Sequence, residues 1–144
     1  MIKVETSDIE ILKTLNAGDI VSISGTIYTA RDAAHKKIFA LMKDNEPLPF
    51  PLRNSFVYYT GATPAKYGEP YGSCGPTTSK RMDVYTPDML DAGLKGIIGK
   101  GARTRAVVDA IKRNGAVYFV AIGGAGAFYK SAIKSAEVIA FPEL

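Results

Sequence analysis

Cysteine and histidine are almost missing from this sequence: its 144 residues contain one of each, Cys74 and His35. A single cysteine excludes an internal disulfide framework and suits a reducing compartment, so the cytoplasm is the expected location. One cysteine and one histidine also fall short of the four or so ligands of a structural zinc site, and of the thiolates that hold an iron–sulfur cluster. No metal ligand is therefore assigned to this chain. A catalytic thiol needs a base and an orienting group beside it. No Cys-His signature surrounds either residue, which leaves Cys74 as a small buried or turn residue. Long apolar runs are missing too. Nothing approaches the roughly 20 residues that span a bilayer. The opening "MIKVETSDIE" carries acids and no apolar stretch, unlike a signal peptide.

What is present describes an ordinary globular domain. Apolar residues make up 47% and charged residues 22%, and the length fits one domain with a real core. The net charge of +4 is spread along the chain, with only one short basic cluster in "KGARTR" (100–105). A nucleic-acid binder would concentrate that charge in a stripe with exposed aromatics; a small anionic ligand needs it in fewer places. The glycine-rich stretches do not make a nucleotide site. "GLKGIIGKGAR" has Leu94 where a phosphate-binding loop needs Gly, and Gly101 where it needs Ser or Thr. "GGAGAF" (123–128) lacks the dinucleotide spacing and reads as close backbone packing at a sheet end.

Periodicity supplies the elements. "TSDIEILKTLNAGD" (6–19) predicts a short capped helix and a turn. "IVSISGTIYT" (20–29) alternates apolar and small polar residues, as a strand does. "ARDAAHKKIFALMKD" (30–44) predicts a helix with Ala34, Ile38, Leu41 and Met42 on one face. The prolines of "NEPLPFPLRN" (45–54) exclude helix and predict an extended surface connection. "SFVYYTGAT" (55–63) predicts a strand, and "PAKYGEPYGSCGP" (64–76) a long loop of the kind that binds ligands. "VYTPDMLDAG" (84–93) predicts a helical turn, "LKGIIGKG" (94–101) a buried strand, and "ARTRAVVDAIKRNG" (102–115) a helix stopped at Gly115. "AVYFVAIGG" (116–124) predicts a strand covered on both faces, and "AEVIAFPEL" (136–144) a last strand. Strands alternating with helices make the fold class α/β, in a single domain over 1–144.

The arginines carry the chemistry. Arg31 stands at a predicted helix start just beyond a strand end. His35 follows four residues later on the same face, and Asp32 is spaced to pair with Lys36. In "GPTTSKRMD" (75–83), Pro76 suits the first helical position and leaves backbone N–H groups free for an anion. Thr77 and Arg81, four apart, then face one pocket. A guanidinium grips a carboxylate at two points, which lysine cannot imitate. Two arginines, a helix end and Lys100 in a Gly-Lys-Gly turn fit both ends of a small dicarboxylate. On spacing alone the blander alternative stays open: arginines in surface contacts and an ordinary Thr-Thr-Ser cap.

Together "GDIVSISGTIYTARDAAHKK", "GPTTSKRMD", "IGKGA", "VYFVAIGGAGA" and "IKSAEVIAFPEL" resemble the β subunit, or C-terminal domain, of the class I iron–sulfur hydro-lyases, fumarase and L(+)-tartrate dehydratase. The resemblance covers most of the chain from Gly18 to Leu144. It implies a single three-layer swivelling β/β/α domain, with the active site shared with an α subunit. That partner would hold a [4Fe–4S] cluster on its own cysteines, so Cys74 binds no iron, and the pairs would assemble as a dimer of αβ units. By motif, Arg31, Arg81 and Lys100 would bind substrate carboxylates. Thr77 would be the catalytic residue at the reacting carbon, and Asp32, His35 and Thr78 would stand behind these groups and orient them. The implied reaction is reversible hydration of fumarate to malate, with tartrate as the second choice and neither nucleic acid nor membrane as a partner. Family members commonly continue past "FPEL", whereas this sequence ends at Leu144, a departure that bears on assembly more than on the site. A non-catalytic dicarboxylate-binding or assembly module with the same fold is the alternative from another class.

Overall fold

The computed structural model describes residues 2–60 and 79–121. Within them, β1 (Ile2–Glu5) pairs in parallel with β2 (Val21–Ser24). The larger sheet runs β3 (Tyr28–Thr29), β4 (Phe56–Tyr58), β5 (Gly96–Gly99) and β6 (Val117–Val120) in that spatial order, every pair parallel. Parallel neighbours cannot be joined by a tight hairpin and need a crossover. The helices supply it: α1 (Asp32–Lys43) between β3 and β4, α2 (Thr86–Asp91) between β4 and β5, α3 (Arg105–Asn114) between β5 and β6. This is an α/β fold.

Successive strand residues point to opposite faces, and that alternation sets the layers. Val57, Ile97 and Tyr118 pack with Ile38 of α1, Met89 and Leu90 of α2 and Ala110 of α3. Their chain neighbours Phe56, Ile98, Val117 and Phe119 pack the other way, with Val4, Leu12, Val21 and Ile23. The larger sheet is thus sandwiched between helices on one face and the β1–β2 pair on the other.

Several elements depart from what the sequence predicts. The stretch 20–29 is two strands in two sheets. It breaks at Gly25, whose φ of +120° is open to glycine and whose missing side chain makes room for the Thr6 hydroxyl. The first helix is a short 3-10 segment, Ile9–Thr14, with no side-chain cap from Asp8. The proline-rich connection is not confined to the surface. Phe50 and Leu52 are buried in the main core, and Phe50 stacks on Tyr28 at 4.1 Å. Proline forbids the helix there, but it does not forbid burial. β6 is covered unevenly, with Phe119 buried and Val120 70% exposed. The helices over 30–44 and 102–115 form as expected, and Gly115 closes α3 in the left-handed region at φ +62°. The predicted loop over 64–76 and the last strand lie outside the described residues.

The carboxyl ends of β3, β4 and β5 lead directly to Arg31, Thr60 and Lys100. Open parallel sheets bind ligands outside that edge.

Candidate active site

α1 begins where β3 ends, and Arg31 is its capping residue with extended backbone, φ −134°. The Arg31 carbonyl accepts two hydrogen bonds from His35, one from the backbone N–H at 2.9 Å and one from ring Nδ1 at 2.9 Å. A carbonyl only accepts, so Nδ1 carries the proton and Nε2 is left as a bare acceptor. Nε2 is buried without a hydrogen-bond partner among the described residues. The ring is fully buried, edge-on to Tyr59 at 5.1 Å and near Tyr85. Burial is the main reason its pKa falls from 6.5 to about 4; the Arg103 charge lowers it further, against the Arg31 hydrogen bond and Asp32. At neutral pH His35 is an uncharged brace under Arg31.

Asp32, in the first turn of α1, reaches away from its own helix. Its Oδ2 accepts from Arg81 Nε at 2.8 Å and Nη2 at 2.5 Å, across 49 residues of sequence, rather than from Lys36. The pair is half exposed, so its net stabilisation is at most about 1 kcal/mol. Its consequence is positional: it joins the Arg31 segment to the Arg81 segment. Arg81 itself lies in a one-turn 3-10 helix, Ser79–Met82. The Ser79 N–H donates to the Lys100 carbonyl at 2.9 Å, which brings the third cationic residue to the same edge. The space at Gly99 makes this approach possible. A methyl group there would overlap the Ser79 hydroxyl and sit 3.0 Å from the Tyr59 ring. Arg31, Arg81 and Lys100, remote in sequence, thus belong to chain segments tied to one another. Cys74, Thr77 and Thr78, with the Pro76 helix start, lie outside the described residues.

The centre beneath these segments is an ion pair that spacing and motif leave unassigned. Arg103 Nε donates to Asp83 Oδ1 at 2.7 Å, and the two side chains are only 2% and 4% exposed. Asp83 Oδ2 accepts from the Thr104 N–H at 2.7 Å. Arg103 Nη2 donates to Tyr59 Oη and to Thr86 Oγ1, both at 3.1 Å, while the guanidinium lies 5.2 Å from the Tyr59 ring and 4.9 Å from the Tyr118 ring. Burial pushes both tyrosine hydroxyls up, so both stay protonated at neutral pH. The two ends of this pair sit in "GPTTSKRMD", where Asp83 is only the last residue of the motif, and in "KGARTR", where Arg103 reads as one member of a short basic cluster. Charged residues that neutralise each other in the interior carry no periodic signal.

The family model for the fumarase C-terminus matches residues 1–144. Fumarate hydratase 2 of Leishmania major is 44% identical over 131 residues, which is 88% of this chain and 23% of that protein. A putative L(+)-tartrate dehydratase subunit beta of Methanocaldococcus jannaschii is 37% identical over 133 residues, 90% of this chain and 68% of that one. The aerobic class I fumarate hydratase of Escherichia coli is 43% identical over 129 residues, again 23% of its length. The chain therefore spans about a quarter of the fumarate hydratases it matches and two thirds of the dehydratase subunit.

Proposed function

This chain belongs to the fumarase C-terminus family, and we propose that it is the β subunit of a [4Fe–4S]-dependent hydro-lyase that reversibly hydrates fumarate to malate. The active site is shared with an α subunit that carries the cluster. The observation that supports this most is the tie between Asp32 and Arg81, with Ser79 tied to Lys100. Cationic groups at one strand-end edge suit a small dicarboxylate. Within the whole chain, one cysteine and one histidine do not make a cluster-binding set. His35 moreover spends its Nδ1 on Arg31. The residues present fit the substrate side of the site and leave the cluster to the partner. Bound there, the cluster supplies Lewis acidity toward the substrate hydroxyl.

In this reading Arg31, Arg81 and Lys100 hold the carboxylates. When malate loses the proton next to a carboxylate, negative charge spreads onto that carboxylate. A guanidinium already in place then binds more tightly as the transition state forms. Thr77 takes or returns that proton, helped by the surrounding positive charge. Asp32 orients Arg81, and His35 and Thr78 steady the neighbouring backbone. The domain swivels against its partner, works in the cytoplasm, and assembles as a dimer of αβ pairs without nucleic acid. Among the described residues no helix is long and apolar enough to cross a membrane.

L(+)-tartrate dehydration is the second reading. It is favoured by the match to most of a separate dehydratase subunit, where the fumarate hydratases are matched over a quarter of a longer chain. The test is anaerobic co-purification with the cluster-bearing partner, followed by assays with fumarate, malate and tartrate. Fumarate hydration is expected, and Arg81→Ala should abolish it while the subunits still associate. A preference for tartrate moves the chain to the second reading. Turnover that survives Arg81→Ala overturns the carboxylate clamp, and dicarboxylate binding with no turnover leaves a binding module.

A further inference from the structure

The turn that carries Arg81 and the loop that begins at Lys100 are cross-linked at both ends. At the leading end, Ser79 N–H bonds the Lys100 carbonyl, and the Ser79 hydroxyl meets Tyr118 Oη at 2.6 Å. Tyr118 in turn donates to the Gly101 carbonyl at 2.9 Å. At the trailing end, Asp83 takes Arg103 Nε on one oxygen and the Thr104 N–H on the other.

The proton directions in this network are determined by its acceptors. Thr86 donates to the Met82 carbonyl at 2.8 Å, so Tyr59 must donate to Thr86, at 3.0 Å. Both oxygens then accept from Arg103 Nη2. Likewise Tyr118 donates to Gly101, so Ser79 donates to Tyr118. Each hydroxyl has one allowed orientation, and the guanidinium plane is fixed beside two rings. An ion pair buried this deeply is a weak source of stability, since a well-packed apolar replacement often does as well. What it supplies is a fixed geometry.

We propose that the Arg103–Asp83–Tyr118 network is a spacer that sets the separation of Arg81 from Lys100, and so selects the chain length of the dicarboxylate. Arg103 is here a positioning residue that acts through both cations. The proposal rests on the hydro-lyase reading, because it assumes that Arg81 and Lys100 both face substrate. Two cations at fixed separation discriminate against a longer diacid; two cations on loosened loops follow it. One misplaced methylene is worth at least about tenfold in a rigid site.

The experiment uses the enzyme assembled with its cluster-bearing subunit. Succinate and glutarate, unreactive diacids of four and five carbons, serve as competitive inhibitors, read beside KM and kcat for fumarate. The wild type should favour succinate by at least about tenfold. Arg103→Lys keeps the charge but loses the fork, and Tyr118→Phe removes only the hydroxyl bridge. Both should raise KM and compress the inhibitor ratio to within about threefold, as expected when bound groups lose their fixed placement. A merely structural role would lower the amount of assembled enzyme and leave the ratio untouched. If Arg103→Lys fails to assemble, Tyr118→Phe decides alone. Variants that assemble and keep the wild-type ratio overturn the spacer and leave the hydro-lyase reading standing. A wild-type complex that neither turns over nor is inhibited by either diacid overturns both.

Discussion

At the scale of single residues, His35 is held far from its ordinary chemistry. Burial brings its pKa to about 4 in the folded chain, against 6.5 when exposed. Between those values the unfolded chain binds a proton that the native chain refuses, so stability rises with pH across that window. The contribution is fully present above about pH 6.5 and is lost as pH falls toward 4. At about 1.4 kcal/mol per unit, acidifying from pH 7 to 5 should remove about 2 kcal/mol through this one group. His35→Phe keeps a ring in the space and the backbone bond to Arg31, but takes up no proton. Urea unfolding at the two pH values should therefore show a loss smaller by that amount in the variant. Equal losses would mean that the native ring charges freely, and that burial does not govern it. The two ion pairs of the site differ in the same respect. Asp32–Arg81, half exposed, is worth little by itself, whereas removing one partner of Asp83–Arg103 leaves a buried charge and costs about 3–5 kcal/mol.

At the scale of elements, the end of β5 is where packing and site meet. Gly99 has no room for a side chain because the Ser79 hydroxyl and the Tyr59 ring occupy it. Gly99→Ala should destabilise the chain by about 1–3 kcal/mol through overpacking, and it should displace the turn that carries Arg81. Ser79→Ala in the same chain removes the hydroxyl in conflict and should recover part of the loss; the Tyr59 contact at 3.0 Å remains. The check is a double-mutant cycle on melting, with a coupling of at least about 0.5 kcal/mol expected and additivity refuting the contact. Nothing in "IGKGA" announces that neighbour. Helices α1 and α3 are legible in the sequence because their apolar spacing and glycine stop are local. The break between β2 and β3 is not, because it depends on Thr6 arriving from 19 residues upstream to fill the space at Gly25. The burial of Phe50 likewise depends on Tyr28, which no local pattern around the prolines reveals.

At the scale of the whole molecule, the residues matched by motif and the residues that hold them had different legibility. Arg31, Arg81 and Lys100 could be picked out because arginine and lysine beside turns and strand ends suit an anion. The Asp83–Arg103 centre could not, since its members are 20 residues apart and balance each other out of solvent. In the proposed site the chain contributes cations, a strand-end edge and a rigid support, and its single cysteine and single histidine fall short of a set of ligands for a cluster. On the proposed hydro-lyase reading, its chemistry then depends on a second chain. Purified alone under anaerobic conditions and treated with iron and sulfide, it should neither retain stoichiometric iron nor hydrate fumarate. Adding the cysteine-bearing subunit under the same conditions should restore both. The informative comparison is iron per chain against turnover, with and without the partner. Hydration by the reconstituted chain alone would place every essential group within these 144 residues and end the shared-site reading; iron and activity that appear together, and only in the mixture, are what a divided active site requires.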